Sequence, residues 1–245
     1  AGGRQGGNCL SFLSEEDFLV FMNRFFPKNH EHLWLGRGDD CAVLNCPEKI
    51  CLSTDIFLEE THFKRSYFSA ADIGYKALAV NISDIAAMGA SPMGFALNLM
   101  LPPDLQEDFL EEMFTAMAYL AQEYKLVLAG GDISRARYLA LDFTIWGQAE
   151  HRFLSRNKCQ PGDLLFIIGE IGMARTGLTV LEKSDRSECK KFPRSVQAHL
   201  RPEMHVNKAR RLSAQPAVRG LMDVSDGLAR DLPRFLGAEK GVNIT

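Results

Sequence analysis

The sequence lacks the common signatures of zinc, redox and P-loop chemistry. Its six cysteines, Cys9, Cys41, Cys46, Cys51, Cys159 and Cys189, form no Cys-x-x-Cys pair, and no histidine stands at zinc-finger spacing from them. They read as small apolar side chains in a reducing cytoplasm rather than as a disulfide framework. No apolar run approaches the ~20 residues that cross a bilayer, so no membrane partner is expected. Neither charge sign dominates: net charge is −3 with scattered basic residues, which argues against nucleic acid as a partner. There is no GxxxxGK[ST] loop, no GxGxxG turn after a first strand, no kinase-type HRD or DFG set and no serine-nucleophile elbow. The six histidines do not pair at metal spacing.

What is present is an ordinary folding composition, 46% hydrophobic and 24% charged over 245 residues, enough for one large domain or two small ones. The glycine-rich start has no apolar centre for a signal peptide and reads as a flexible arm over residues 1–13. Helix signals begin at Ser14 and continue to Phe26, and two short strands are expected near residues 41–44 and 50–53. Helical spacing over residues 71–88 is stopped by Gly89. Phe95, Leu97, Leu99 and Leu101 alternate as in a strand. Pro102, Pro103 and Asp104 are expected to open a helix to about Glu123, followed by strands at 126–129 and 139–149. A polar stretch, 151–162, suggests a boundary, giving domains 14–150 and 151–245. In the second, strands are expected at 164–168, 221–224 and 241–245, with helices from Gly172 to about Glu182, over 202–212 and over 228–236. Residues 183–194 read as a surface loop. Strands alternating with helices favour a layered α/β or α+β architecture.

The chemistry is carried by acidic residues that close hydrophobic runs: Asp39 and Asp40, Asp55, Asp84, Asp132, Asp223 and Asp226. Two carboxylates ~4 Å apart repel by about 4 kcal/mol at an effective dielectric of ~20. A convergent set therefore takes up protons or binds cations. Oxygen-only ligands point to magnesium, which keeps several waters and shares its shell with substrate phosphates. Asn81, Asp84 and Met88 share one face of an otherwise core-like helix. Ser53, Thr54 and Asp55 follow a strand, where side chains meet ligand, although these types also form plain turns. Gly130, Gly131 and Asp132 are either a glycine turn or a place where backbone approaches a phosphate. Asp226 is equally a helix N-cap or a cation ligand. His62, before Phe63, is by default a surface histidine.

Taken in order, these pieces resemble the thiamine-monophosphate kinase family, of the aminoimidazole ribonucleotide synthetase superfamily. The matching residues are Gly38-Asp39-Asp40-Cys41-Ala42-Val43, Ser53-Thr54-Asp55 with His62-Phe63, Lys76 to Asp84 with Ala86 to Ala90, Gly130-Gly131-Asp132, Arg156 ahead of Pro161-Gly162-Asp163, Leu200-Arg201-Pro202, and Asp223 to Leu228. The resemblance implies a two-domain protein, with an N-terminal sheet that forms a barrel across a homodimer and a C-terminal α/β domain, here incomplete. It implies transfer of the γ-phosphoryl group of ATP to thiamine monophosphate with several magnesium ions. Asp40, Ser53, Thr54, Asp55, Asp84, Asp132, Asp223 and Asp226 are the implied magnesium ligands, with Asp39 beside them. Gly131, Asp132, Arg156 and Ser225 are the implied ATP contacts and His62 the implied substrate contact. Departures from the family pattern are Arg175 where small residues are usual, the more acidic Glu59-Glu60-Thr61 before His62, Ile133 rather than threonine after Asp132, and a missing Gly-Gly-Glu-Asp-Tyr-type segment. Another ATP-using member of the superfamily, of the hydrogenase-maturation or ribonucleotide-synthetase type, and a truncated nucleotide-binding dimer without turnover are the competing readings.

Overall fold

A computed structural model describes residues 15–38, 40–183, 189–237 and 240–243. The chain divides into two units, Ala1–Asn81 with Met93–Trp146, and Ile82–Pro92 with Gly147–Thr245.

The first unit is built on a five-stranded sheet. Its strands are β3 (Cys51–Leu58), β4 (Ser91–Leu101), β5 (Val127–Gly130), β6 (Ile133–Arg135) and β7 (Ala140–Gln148), in the order β3-β7-β4-β5, with β6 also pairing β4. β5 and β6 both run parallel to β4, through Phe95↔Leu128 and Leu99↔Ile133. A small antiparallel ribbon, β1 (Leu33–Leu35) with β2 (Val43–Leu44), packs Leu33 and Leu44 onto a buried cluster of Met93, Val127, Ala129 and Trp146. Helices α1 (Glu15–Met22) and α3 (Glu107–Glu123) complete the set with the first part of α2 (Ala70–Ala87), whose residues from Ile82 on are counted in the second unit. α3 buries Leu110, Met113, Phe114, Met117, Leu120 and Ala121, the i, i+3, i+4, i+7 stripe of a helix facing a core. Phe114 takes ring contacts from Phe18, Phe21, Phe25 and Phe26, and Phe26 in turn meets Phe95 of the sheet. Fully burying each such ring stabilises the unit by about 1.5–3 kcal/mol.

In the second unit the described residues after β7 form helices α4 (Met173–Lys183), α5 (Pro193–Leu200), α6 (Val206–Ser213) and α7 (Leu228–Leu236) and no strand. α5 was not expected from the charged local sequence. It rests against α4, where Gly177 leaves no room for a side chain: a Cβ there would stand 2.0 Å from the Ser195 carbonyl oxygen. Arg152 ties the unit further, its guanidinium donating to the carbonyls of Ser213, Gln215 and Val218. The Leu154 N–H donates to Met88 O at 2.9 Å, one residue ahead of Gly89, whose φ of +70° stops α2.

Several expectations are corrected. The runs 164–168 and 221–224 are not strands, and neither is 241–243; residues 244 and 245, like Ser14 and Asp39, lie outside the described residues. A strand needs a ladder to satisfy its backbone, and these runs have none. Leu164 and Phe166 are accordingly 80% and 78% exposed. α1 ends at Met22 rather than Phe26, the chain continuing as turns. α3 starts at Glu107 because residues 102–105 first close a turn, with the Leu105 N–H directed to Pro102 O. α6 starts at Val206 because His205 takes a left-handed φ of 50°. β3 runs on to Leu58, so Ser53, Thr54 and Asp55 lie within a strand rather than after one.

Candidate functional site

In the first unit the polar candidates sit on the sheet and its connections. Asp55, on the β3 edge strand, is exposed and caps its own neighbour, accepting the Ile56 N–H at 2.8 Å. Ser53 is half-buried, and Thr54 and Asp40 are exposed. Asp132 follows β5. Its backbone carbonyl accepts the Leu99 N–H at 2.8 Å, its N–H donates to Asn98 Oδ1 at 3.0 Å, and its carboxylate accepts the Ile133 N–H at 2.8 Å. Asn98 Nδ2 then donates to Asp142 Oδ2 at 3.0 Å. Asn98 and Asp142 were not singled out by sequence. The available signal is that each is a polar residue set between two apolar ones in a strand, Leu97-Asn98-Leu99 and Leu141-Asp142-Phe143.

Gly131 has a reason inside the protein itself. A Cβ there would stand 1.8 Å from Leu97 O, so the backbone of β4 occupies the place of a side chain. Gly130, Gly131 and Asp132 line a narrow crevice of about 30 Å³ with Arg37, Leu97, Leu128 and the α1 side chains Phe18 and Met22. Arg37 is spent on structure: its guanidinium donates to Leu128 O, Asn23 Oδ1 and Phe26 O. Burial lowers its pKa. It thereby anchors the loop that leads to Asp40.

His62 is exposed at the reversal after β3. Its Nδ1 accepts the Leu58 N–H at 3.0 Å, and its ring stacks on Phe57 at 6.0 Å and 18°. On α2, Asp84 is half-buried and Asn81 only 1% exposed. Asn81 Nδ2 donates to Ala77 O at 2.8 Å, while its Oδ1 has no protein partner.

The second unit groups the other acidic motif. Burial raises the Asp223 carboxyl above the ordinary range; Asp231 and Asp226 push the same way and Arg156 opposes them. Asp226 is not the N-cap of α7. Gly227 holds that position, and the buried Asp231 reaches back to accept the N–H groups of Asp226 and Gly227 at 2.8 and 2.9 Å. Asp226 instead pairs with Arg234 at 2.6 Å. Ser225 and Arg156 are exposed.

Among the described residues no three His, Cys, Asp or Glu side chains converge as a metal-holding group. The donors fit magnesium in kind, being oxygen only, and a desolvated Asp223 is a carboxylate suited to a cation. Magnesium held by one or two carboxylates plus phosphate oxygens needs no such triple.

Residues 38–149 match the family model described as AIR synthase related protein, N-terminal domain. The chain is 38% identical over 212 residues to the thiamine-monophosphate kinase of Bacillus subtilis (strain 168), covering 83% of this chain and 64% of that one. The thiamine-monophosphate kinase structure from Stenotrophomonas maltophilia K279a matches with a TM-score of 0.73 and 30% identity, over 92% of this chain and 71% of that one. The chain belongs to the thiamine-monophosphate kinase family. A structure of AaThiL complexed with AMPPCP and TMP matches with a TM-score of 0.69 and 28% identity, over 94% of this chain and 72% of that one. The mixed α/β architecture expected from the sequence is thus that of the family. This member spans less than two thirds of the length of its Bacillus relative. Among the described residues no helix is long and apolar enough to cross a membrane.

Proposed function

We propose that this chain carries the ATP- and magnesium-dependent phosphorylation of thiamine monophosphate to thiamine diphosphate, as a cytoplasmic homodimer. The supporting observation is its likeness, over 94% of its length, to AaThiL complexed with AMPPCP and TMP, together with an ordered set of acidic motifs. In this reading residues 14–150 are the ATP- and magnesium-binding and dimerisation domain, and residues 151–245 are a partial C-terminal α/β domain. Asp40, Ser53, Thr54, Asp55, Asp84, Asp132, Asp223 and Asp226 hold magnesium. Gly131, Asp132, Arg156 and Ser225 engage ATP, and His62 engages the phosphate of thiamine monophosphate.

Magnesium bound there would supply charge neutralisation and a template for two phosphates. The residues themselves provide position. The Gly131 turn keeps main chain rather than side chain at the crevice, and Asp132 is oriented by three hydrogen bonds. A phosphate monoester acceptor is already ionised near neutral pH, so its attack requires no general base, in keeping with the absence of a paired histidine or lysine base from the motif set.

A coupled assay of ADP release tests this reading. Release that depends on thiamine monophosphate is expected, with Asp84→Asn removing most turnover at an unchanged melting temperature. Nucleotide binding without release would instead identify a non-catalytic nucleotide-binding dimer.

A further inference from the structure

The reversal between β3 and Phe63 is organised around one buried carboxylate. Glu59, with a side chain 6% exposed, donates its N–H to Leu139 O at 2.9 Å and accepts the Leu139 N–H on Oε2 at 2.9 Å. Its other oxygen, Oε1, accepts Arg65 Nε, and Arg65 Nη1 reaches Asp104 Oδ2 at 2.9 Å. One residue therefore fastens the end of β3 to Leu139, just ahead of β7, twice, and the Arg65 guanidinium neutralises it. The chain then reverses through Glu60 at φ +66°, with the Glu60 N–H donating to Phe63 O at 2.8 Å and the His62 N–H to Leu58 O at 2.8 Å.

The Leu58 N–H, fixed one residue before this clamp, donates to His62 Nδ1. A nitrogen that accepts must hold a lone pair, so the proton of the neutral imidazole is on Nε2. His62 thus offers a neutral N–H donor of set direction, suited to a phosphate oxygen. We propose that Glu59, held by Arg65, is a positioning residue that fixes the tautomer and aim of His62 toward the anionic end of the phosphorylated substrate. The inference rests on the thiamine-monophosphate reading above for the identity of that substrate. A purely structural role for Glu59 would alter stability alone.

Imidazole nitrogen shifts in protein labelled with 15N-histidine, assigned with His62→Gln, show which nitrogen carries the proton. The wild type is expected to carry it on Nε2. Glu59→Ala should give a mixture of tautomers and raise KM for thiamine monophosphate about tenfold, the scale of one hydrogen bond involving a charged group, with KM for ATP nearly unchanged. Glu59→Gln keeps an acceptor for the Leu139 N–H and should restore much of both. If Glu59→Ala does not fold, Arg65→Lys should move both readouts the same way by less. A wild-type proton on Nδ1, an unaltered tautomer in the variants, or equal rises in both KM values would overturn the proposal. Absence of any turnover of thiamine monophosphate would sink the substrate reading alone, because the tautomers still report whether Glu59 positions His62.

Discussion

The two units hold their polar candidate residues by different means. In the first, His62 and Asp132 are oriented by main-chain N–H groups and by Asn98, on a sheet whose backbone is itself fixed by ladders. In the second, Asp226 and Asp231 meet at the start of α7, where Arg234 bridges both at 2.6 and 3.4 Å. Main-chain donors are placed by the fold and carry no mobile charge. An exposed arginine is placed by its own rotamers and is screened by salt. The first arrangement is therefore the more rigid reference, and the second answers more readily to solution conditions. Burial also acts oppositely on one group in each unit, lowering the Lys76 pKa to about 8 and raising that of Asp223.

This contrast can be broken most severely at Gly131. The backbone of β4 cannot yield to a Cβ placed 1.8 Å from Leu97 O, so Gly131→Ala is expected to cost about 3 kcal/mol or more, read by thermal melting. A variant that melts like the wild type would show the first site to be less rigid than described. Next in size is Asp231→Ala, which strips two N–H groups of their acceptor at the start of α7 and is expected to cost about 1–2 kcal/mol in denaturant titration.

Lys76 supplies a smaller, pH-dependent effect. Its pKa is lowered by burial from 10.5 to about 8, while the unfolded chain keeps the ordinary value. Below about pH 8 the ammonium is charged in both states, and its desolvation opposes folding. Between there and 10.5 the unfolded chain binds more protons, so stability climbs with pH. The melting temperature of the wild type minus that of Lys76→Met should rise across that window, and a flat difference would mean that the ammonium stays hydrated. Smallest of all is Asp226→Asn, or ~1 M salt, where the Debye length falls to about 3 Å. Neither is expected to shift melting measurably, whereas the Arg234 side-chain resonances should move and those of His62 should not.

Legibility from sequence followed the same division. α2 and α7 were readable to within a residue, because an apolar stripe and a glycine stop are local signals. β4 and β7 were readable from alternation, since a ladder partner stood on each side. The run 164–168 carries an equally apolar pattern yet forms no strand, because periodicity states a preference and only a hydrogen-bonded neighbour realises it. α5 was unreadable for the converse reason: it is short, follows a charged segment and carries no strong apolar stripe, and contact with Gly177 of α4 decides it. Among the candidate residues, the motifs single out Asp132 and His62 but not what orients them. Asn98 stands 34 residues from the Asp132 N–H that it holds, so its place in an apolar strand marks it without naming its partner. Glu59 and Arg65 flank His62 closely, but the Leu139 and Asp104 contacts that fix them are remote in sequence.

Glu60 has one more consequence. A glutamate at φ +66° occupies backbone territory that costs an L-residue of this kind about 1 kcal/mol, and glycine or asparagine enters it more freely. Anyone seeking a hardier version of this protein could begin at that bend, where the native side chain is the wrong tenant for its own address.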